Sequence, residues 1–253
     1  MENSTATKSV ITIQNLKISF GKLNVLNDVS LNLNAQENLV ILGKSGTGKS
    51  VLIKCIARLL KADEGTITVL DQEVNALKEN ELNDVRKKIG FLFQSGALYD
   101  SMNVKENLEF PLKRLRKELS KEEINNKVKE VLLNVGLEDV LYKMPSELSG
   151  GMRKRISLAR TIIADPEIML YDEPTTGLDP VTAEEISELI NDIQKKYKTA
   201  SIIITHDMEC VRTVADRIIM LKDGDVYKEG SLLEFENSDD EYISSFFKTK
   251  KIL

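Results

Sequence analysis

The stretch LVILGKSGTGKS, residues 39–50, is the part of this sequence that says most about its fold. Its first four residues are all apolar, which predicts a strand that is buried on both faces of a sheet. The run VLIKCIARLL follows with the apolar spacing of a helix. A strand, a glycine-rich loop that ends in Lys-Ser, and a helix in this order predict a phosphate-binding loop.

The residue types in this loop suit the binding of a nucleotide. Glycines let backbone N–H groups wrap the β- and γ-phosphates, Lys49 adds a positive charge, and the Ser50 hydroxyl is suited to ligate Mg²⁺. A glycine-rich turn that only caps a helix is the alternative, and the complete motif spacing argues against it. The predicted nucleotide-binding residues here are Gly43, Lys44, Ser45, Gly46, Thr47, Gly48, Lys49, Ser50 and Val51.

The pattern on either side of the loop predicts an α/β fold. Unbroken apolar runs at 168–171, 202–204 and 218–221 predict further strands of a parallel sheet. Upstream, VITIQNLKISFGKLNVLNDVSLNLN alternates apolar and polar residues, which predicts an antiparallel N-terminal sheet with a turn at FGK. Residues 103–164 are mostly helical in pattern, so we expect a helical insertion in an α/β core.

Chemically active side chains follow two of these predicted strands. Asp172 and Glu173 end the run IMLYDE, and His206, the only histidine, follows SIIIT. Ligands of open α/β sheets bind at this edge. Asp172 is suited to hold the water shell of Mg²⁺, Glu173 to orient or deprotonate an attacking water, and His206 to hydrogen-bond to a γ-phosphate. Alone, such an acidic pair is more often a helix cap, and a lone His a surface or core residue; the phosphate loop favours a hydrolytic site.

Composition excludes other classes of protein. The formal net charge of -5 argues against a general nucleic-acid binder, because affinity for the phosphate backbone rests on clustered Lys and Arg. The start lacks an apolar signal core, and the apolar runs are far shorter than the roughly 20 residues that span a bilayer. Cys55 and Cys210 form no metal or redox pattern, which predicts reduced, buried thiols. We therefore expect a cytosolic protein that binds no nucleic acid.

A second anion-binding pattern lies in ELSGGMRKRISLAR, residues 147–160. Ser149, Gly150 and Gly151 stand before a helical run, and the unpaired N–H groups of a helix start attract anions. The phosphate loop, Gln94, LSGGM, the acidic pair, TTGLDP and His206 occur in the order and spacing of ATP-binding cassette (ABC) ATPases. The chain resembles that family from about residue 11 to residue 230.

The resemblance implies a fold and an activity. The fold is a phosphate-loop NTPase (RecA-like) core with an N-terminal antiparallel β-subdomain and an inserted helical subdomain at about 95–165. Residues 1–230 form a single ABC ATPase domain, and 231–253 form a C-terminal tail. The implied activity is Mg²⁺-dependent ATP hydrolysis in a head-to-tail dimer, in which the second anion site of one chain closes over the ATP of the other.

The resemblance also implies roles for single residues. Ser149, Gly150 and Gly151 would bind the γ-phosphate of the partner's ATP, and Asp179 would cross the dimer interface. Gln94 would touch Mg²⁺ or the attacking water and couple the site to the helical insertion. Phe20, near the first hairpin, would stack on adenine; the alternative is a plain core aromatic.

Two features resemble the ATPase subunit of Mla and MCE-associated lipid transporters. Met152 stands where the usual signature has Gln, and QSGALYDSMNVKENLEFPL, residues 94–112, is similar to the corresponding segment of that group. This implies a peripheral subunit on the cytoplasmic face of a bacterial inner membrane, with an integral permease like MlaE and an MCE-type substrate-binding protein as partners. Residues 95–102 would meet the permease through Leu98, Tyr99 and Met102; alternatively, these side chains only pack the insertion.

Several alternatives stay open at this point. One alternative is a cassette that serves another permease, for amino acids, ions or a cell-division complex. A soluble clamp on ribosomes or DNA is disfavoured, since neither a second cassette nor long coiled-coil arms are present. The tail combines ENSDDE, YISSFF and KTKK, and it is either a short helix that docks on the partner cassette or a loosely ordered terminus.

Overall fold

The computed structural model describes residues 8–247. Besides two 3₁₀ turns, Glu138–Val140 and Pro145–Glu147, the described residues form strands and α-helices. In chain order these are β1 (Ser9–Phe20), β2 (Leu23–Asn34), β3 (Asn38–Leu42), α1 (Lys49–Ile56), β4 (Glu64–Val69), β5 (Gln72–Glu73), α2 (Glu79–Arg86), β6 (Ile89–Leu92), α3 (Val104–Leu115), α4 (Lys121–Asn134), α5 (Gly150–Ile162), β7 (Ile168–Asp172), α6 (Pro180–Tyr197), β8 (Ala200–Ile204), α7 (Met208–Val214), β9 (Arg217–Lys222), β10 (Asp225–Gly230), α8 (Leu232–Glu236) and α9 (Glu241–Phe247).

A six-stranded sheet forms the centre of the fold, in the order β10-β9-β3-β8-β7-β6. Its strands pair in parallel, except that β10 pairs with β9 antiparallel. Every residue of β3, β7 and β8 is buried, because helices or a second sheet cover both faces. Parallel pairing brings the carboxyl ends of β3, β6, β7 and β8 to one edge.

The N-terminal half contributes a smaller antiparallel sheet in the order β2-β1-β4-β5. The β1–β2 hairpin turns after Phe20, as the FGK pattern predicts. Alternate residues of β1 and β2 pack with α1 and α2 against one face of the central sheet, to which β3 contributes Leu39 and Ile41. Val40 and Leu42 point to the other face, where the helices from α3 onward form the second core. The predicted fold class is confirmed.

Helices α3, α4 and α5 lie between β6 and β7 and pack on one another. Asn103 and Ser120 cap α3 and α4, each in a reciprocal pair with a Glu three residues later. Ser149 caps α5 by accepting a hydrogen bond from the Met152 N–H. Local capping chemistry thus fixes where these helices begin, which places the LSGG motif at the start of α5.

The described part of the tail forms two short helices on the chain's own core. Phe235 in α8 is fully buried, and Ile243 and Phe247 of α9 join the same core. The basic end KTKK, residues 248–251, lies outside the described residues. Docking of the tail on a partner cassette therefore stays a prediction. Within residues 8–247, no helix has the length and apolar character needed to cross a membrane.

Candidate nucleotide site at the carboxyl edge of the sheet

A cleft with a volume of about 610 Å³ opens at the edge where the parallel strands end. Four connections contribute to it: the loop after β3, and the residues that follow β6, β7 and β8. Its volume lies within the range of small-molecule sites. The lining residues include Val25, Gly43, Lys44, Ser45, Gly46, Gly48, Lys49, Ser50, Val51, Gln94, Glu173, Ile204, His206 and Phe246.

Two glycines of the loop between β3 and α1 have backbone conformations that other residues rarely adopt. Gly43 has φ 149°, and a Cβ there would lie 2.5 Å from the Leu221 carbonyl oxygen. Gly48 has φ 91° at the N-cap of α1, and a Cβ there would lie 2.5 Å from Leu26 Cδ2. The loop therefore takes a conformation open only to glycine at both ends, with its backbone close to the cleft.

Lys49 is a buried cation at the first position of α1. It is 8% exposed, and its Nζ donates to the carbonyl oxygens of Gly43 at 2.7 Å and Lys44 at 2.9 Å. Burial lowers the pKa of Lys49, against the opposing effect of the Glu173 and Asp172 carboxylates. A phosphate would supply an ionised acceptor in place of a neutral carbonyl, and such charge-assisted bonds are the stronger ones.

Ser50, which lines the cleft, is hydrogen-bonded to Asp172. The Ser50 hydroxyl donates to Asp172 Oδ1 at 2.8 Å, and Asp172 is the last residue of β7. A hydroxyl and a carboxylate at this separation supply the oxygen ligands that Mg²⁺ prefers, and Mg²⁺ keeps several of its waters. The pair therefore fits the predicted metal, and Gln94 lines the same cleft as Ser50.

Glu173 and His206 form a second polar pair. His206 Nδ1 lies 2.8 Å from Glu173 Oε2, and Thr176 Oγ1 donates to the same oxygen at 3.1 Å. Glu173 has φ 53°, a left-handed conformation that is uncommon for a residue with a side chain. Its N–H donates to the Ile204 carbonyl at 2.9 Å, so β8 holds that conformation in place.

This geometry defines the tautomer of His206 next to an ionised Glu173. A carboxylate only accepts, so Nδ1 carries the proton and Nε2 carries a lone pair in the neutral ring. The predicted hydrogen bond from His206 to a γ-phosphate therefore requires the imidazolium form, or a ring released from Glu173. The imidazole is also the more exposed partner, at 67% against 15% for the Glu173 side chain.

Gln94 is exposed and lines the cleft two residues after β6. Its backbone carbonyl accepts a hydrogen bond of 2.9 Å from Lys154 Nζ, and Lys154 in α5 is only 6% exposed. Burial lowers the pKa of Lys154, and the Glu173 carboxylate opposes that effect. This buried lysine was not predicted from the sequence, although a charged residue on the otherwise apolar face of an amphipathic helix was a usable signal.

The second anion motif is not among the described residues that line the nucleotide cleft. Ser149 and Gly150 are exposed at the N-terminus of α5, and Gly150 lines a second cavity, which shares Gln94 with the nucleotide cleft. Asp179 is exposed and caps α6, accepting from the Thr182 N–H at 3.1 Å and from the Thr182 hydroxyl at 2.6 Å. That side-chain hydrogen bond is the main reason why the pKa of Asp179 is lowered.

The aromatic residue in the cleft comes from an unexpected place. Phe20 is 49% exposed and is not among the described residues that line the cleft, so its stacking on adenine stays a prediction. Phe246 of α9 lines the cleft instead. Sequence reasoning missed it, although Tyr242 and Phe246 in YISSFF stand four residues apart, the spacing of one helix face.

A phosphate loop, an acidic pair after a buried strand and a histidine after the next strand define a phosphate-loop nucleoside triphosphatase. The chain belongs to the ABC transporter family, whose model matches residues 26–176. It is the ATP-binding subunit of an ABC transporter and an ATPase that uses ATP and Mg²⁺. Cassettes of this family dimerise and pair with membrane permease subunits.

Known proteins similar to the chain have names that refer to different transported substrates. The methionine import ATP-binding protein MetN of Clostridioides difficile is 37% identical over 225 residues, which cover 89% of this chain and 70% of that protein. The probable ribonucleotide transport ATP-binding protein mkl of Mycobacterium leprae is 39% identical over 242 residues, covering 96% and 70%. A dimeric post-hydrolysis structure of the ATP-binding cassette MJ0796 with ADP and Pi has a TM-score of 0.80 at 34% identity, covering 88% of this chain and 98% of that one.

Proposed function

We propose that this chain powers a lipid transporter of the Mla/MCE type, as a head-to-tail dimer beneath an integral membrane permease. The observation that carries the cargo class is Met152 in LSGGM, together with residues 94–112, which resemble the ATPase subunit of that group. The proposed partners are a permease like MlaE and an MCE-type protein, and the proposed location is the cytoplasmic face of a bacterial inner membrane.

The exposed start of α5 supports the head-to-tail dimer. Ser149 and Gly150 present a helix N-terminus to solvent, and neither is among the described residues that line the cleft of the same chain. Such a site attracts an anion, and the γ-phosphate bound by a second copy is the anion that a facing dimer would bring to it. ATP binding would then close the dimer, and hydrolysis would open it again.

The hydrolytic step follows from the cleft geometry. Lys49 would bind the β- and γ-phosphates, and Glu173 would accept a proton from the water that attacks the γ-phosphate. His206 fixes the orientation of Glu173 through the 2.8 Å contact with Oε2. Mg²⁺ held by Ser50 and Asp172 would neutralise negative charge on the phosphates.

The loop after Gln94 would offer an ordered surface to a permease. Asn107, fully buried in α3, donates to the Tyr99 carbonyl at 3.1 Å and to the Met102 carbonyl at 2.8 Å, and it accepts from the Tyr99 N–H at 2.9 Å. Tyr99 is 40% exposed, whereas Leu98 packs against the core. Among the predicted contact residues, Tyr99 therefore offers the most open apolar side chain.

A transporter for another cargo is the second candidate. The similarity to MetN and to mkl favours it, since these proteins are named for methionine import and ribonucleotide transport. Both candidates share the ATPase chemistry and the dimer, because a cassette does not touch its cargo. Only the identity of the permease that binds the chain distinguishes the two candidate functions.

The deciding experiment identifies that partner. The tagged chain is purified from its native membranes in mild detergent, in parallel with Tyr99→Ala and with Tyr142→Ala, which changes a tyrosine that is 73% exposed at another site. Mass spectrometry should find a permease, an MCE-type protein and enriched phospholipid with wild type and Tyr142→Ala, and reduced recovery with Tyr99→Ala. Recovery of a permease for another cargo would overturn the lipid assignment and leave the ATPase standing.

A further inference from the structure

The C-terminal helix α9 has two faces with different surroundings. Ile243 and Phe247 are buried in the core, where the Phe247 ring lies 5.9 Å from that of Phe235. Asp240 starts the helix by accepting from the Ile243 N–H at 3.0 Å. Burial of two large side chains holds this short helix on the domain, although an isolated helix of this length is unstable in water.

The other face of α9 meets the phosphate loop. Phe246 is half-buried and lines the nucleotide cleft together with the loop, Glu173 and His206. One turn earlier, the Tyr242 ring lies 5.2 Å from Lys44 Nζ and packs edge-on against Phe246 at 5.5 Å. The two rings therefore connect the core-anchored helix to the loop.

Two further side chains, Lys222 and Tyr227, contact the Tyr242 ring. Lys222 Nζ lies 4.7 Å from its ring centroid, and the Tyr227 ring packs against it at 5.4 Å. The Tyr227 hydroxyl donates to Asp240 at 2.5 Å, which ties β10 to the start of α9. This cluster of two cations and three rings fixes the position of α9 beside Lys44.

The cleft remains open with α9 in this position. Its volume of about 610 Å³ includes Phe246 as a wall, and sites of this size accommodate small-molecule ligands. A helix that filled the nucleotide site would leave no such space. Helix α9 therefore forms a wall of the cleft and does not block it.

We propose that α9 is part of the nucleotide site of its own chain, with Phe246 as an apolar wall against bound ATP and Tyr242 as a positioning residue for Lys44. The proposal rests on ATP binding at the phosphate loop. It adds to that loop an element beyond the matched family region, which ends at residue 176. ATP affinity thus depends on the tail of the same polypeptide.

The first test measures ATP affinity of the full chain by competition with a fluorescent ATP analogue. Phe246→Ala should weaken binding about tenfold through loss of an aromatic contact, whereas Phe246→Tyr and Tyr242→Phe, which keep the rings, should stay within about threefold of wild type. Tyr142→Ala is the control for loss of an exposed ring. Unchanged or tighter binding by folded Phe246→Ala would overturn the proposal. Failure of wild type to bind ATP would instead contradict the phosphate-loop assignment.

The second test separates a wall in the same chain from one donated to a partner. The titration is repeated at protein concentrations where light scattering shows only monomer. The loss with Phe246→Ala should persist there, and a loss seen only in the dimer would overturn the assignment to the same chain.

A third measurement needs no variant. Hydrogen exchange of wild type with and without ATP should show slower exchange in residues 241–247 when ATP is bound. Unchanged or faster exchange there, while the phosphate loop becomes protected, would contradict the proposal even if Phe246→Ala fails to fold.

Discussion

Lys49 is buried with two neutral carbonyls as its hydrogen-bond partners among the described residues. Burial disfavours its ammonium form, and the nearby carboxylates Glu173 and Asp172 favour it. A bound triphosphate adds negative charge where only carbonyl dipoles now lie. Bound nucleotide would therefore give Lys49 a negatively charged hydrogen-bond acceptor in place of neutral carbonyls.

Lys49→Ala should weaken ATP binding by about 10- to 100-fold, since it removes a charged hydrogen-bond donor to the phosphates. Lys61→Ala, at an exposed lysine just beyond α1, is the matched control and should bind ATP normally. Isothermal titration gives both affinities. Equal affinity of Lys49→Ala and wild type would remove Lys49 from the phosphate site.

Glu173→Gln should keep ATP binding and reduce the rate of phosphate release by about 100-fold or more, because the amide cannot accept the proton of the attacking water. Its shape is nearly that of Glu173, so the contacts to His206 and Thr176 lose charge but little packing. Glu188→Gln, at an exposed position of α6, should hydrolyse ATP at the wild-type rate. Near-normal turnover by Glu173→Gln would exclude Glu173 as the base.

At the scale of elements, α5 holds the segment that follows Gln94. Lys154 donates to the Gln94 carbonyl at 2.9 Å, and Arg160 donates to the Ala97 carbonyl at 2.6 Å. The Arg160 guanidinium also lies 4.6 Å from the Tyr99 ring centroid. Because α5 begins at the LSGG motif, a displacement of this segment by a permease would act directly on the helix that presents the motif.

Lys154→Met should fold normally and lower the rate of ATP hydrolysis by roughly tenfold with little change in ATP affinity. Methionine has a similar length and no charge, so it fits the buried site. It cannot donate the hydrogen bond that restrains the Gln94 carbonyl. Faster hydrogen exchange in residues 94–99 should accompany the change. Lys195→Met, in the last turn of α6, is the control. A variant with wild-type exchange and wild-type turnover would show that Lys154 does not position Gln94.

Asn107→Ala should lower the free energy of unfolding by about 2 kcal/mol, because it removes a fully buried amide and the hydrogen bonds that tie Tyr99 and Met102 to α3. Asn126→Ala, at an exposed position of α4, should change it little. Urea unfolding measures both. Equal stability of the two variants would mean that Asn107 does not hold the turn.

At the scale of the whole molecule, two anion sites of one chain face different spaces. The phosphate loop opens into the cleft, whereas Gly150 stands at the exposed start of α5. A Cβ on Gly150 meets only Leu178 Cδ2, at an ordinary 3.7 Å, so the position accepts a side chain without strain. It is therefore a suitable place to test a partner contact without harming the fold.

In a Glu173→Gln background, Gly150→Asp should prevent the ATP-dependent dimer, since its carboxylate would repel the γ-phosphate of the partner. Each chain should still bind ATP at its own loop. Gly150→Ala adds the Cβ without charge and serves as the control. Size-exclusion chromatography with light scattering gives the mass, and an intact dimer of Gly150→Asp would contradict the head-to-tail site.

Local sequence patterns were sufficient for the fold. Unbroken apolar runs, the glycine spacing of residues 43–50 and the capping residues Asn103, Ser120 and Ser149 act over a few neighbouring positions, so one chain displays them directly. The βα connections then make these strands parallel, and parallel strands bring Gln94, Glu173 and His206 to one edge. Their shared cleft was predictable for this reason.

Contacts between distant segments were decided only by the tertiary structure. Lys154 donates a hydrogen bond to the backbone carbonyl of Gln94, which is 60 positions away in the sequence. The local sequence pattern of α5 does not predict this partner. The aromatic face of α9 reaches Lys44 across almost 200 residues, because Ile243 and Phe247 bury themselves in a core formed by other helices. Periodicity shows that a helix has an apolar face, but packing decides what that face meets.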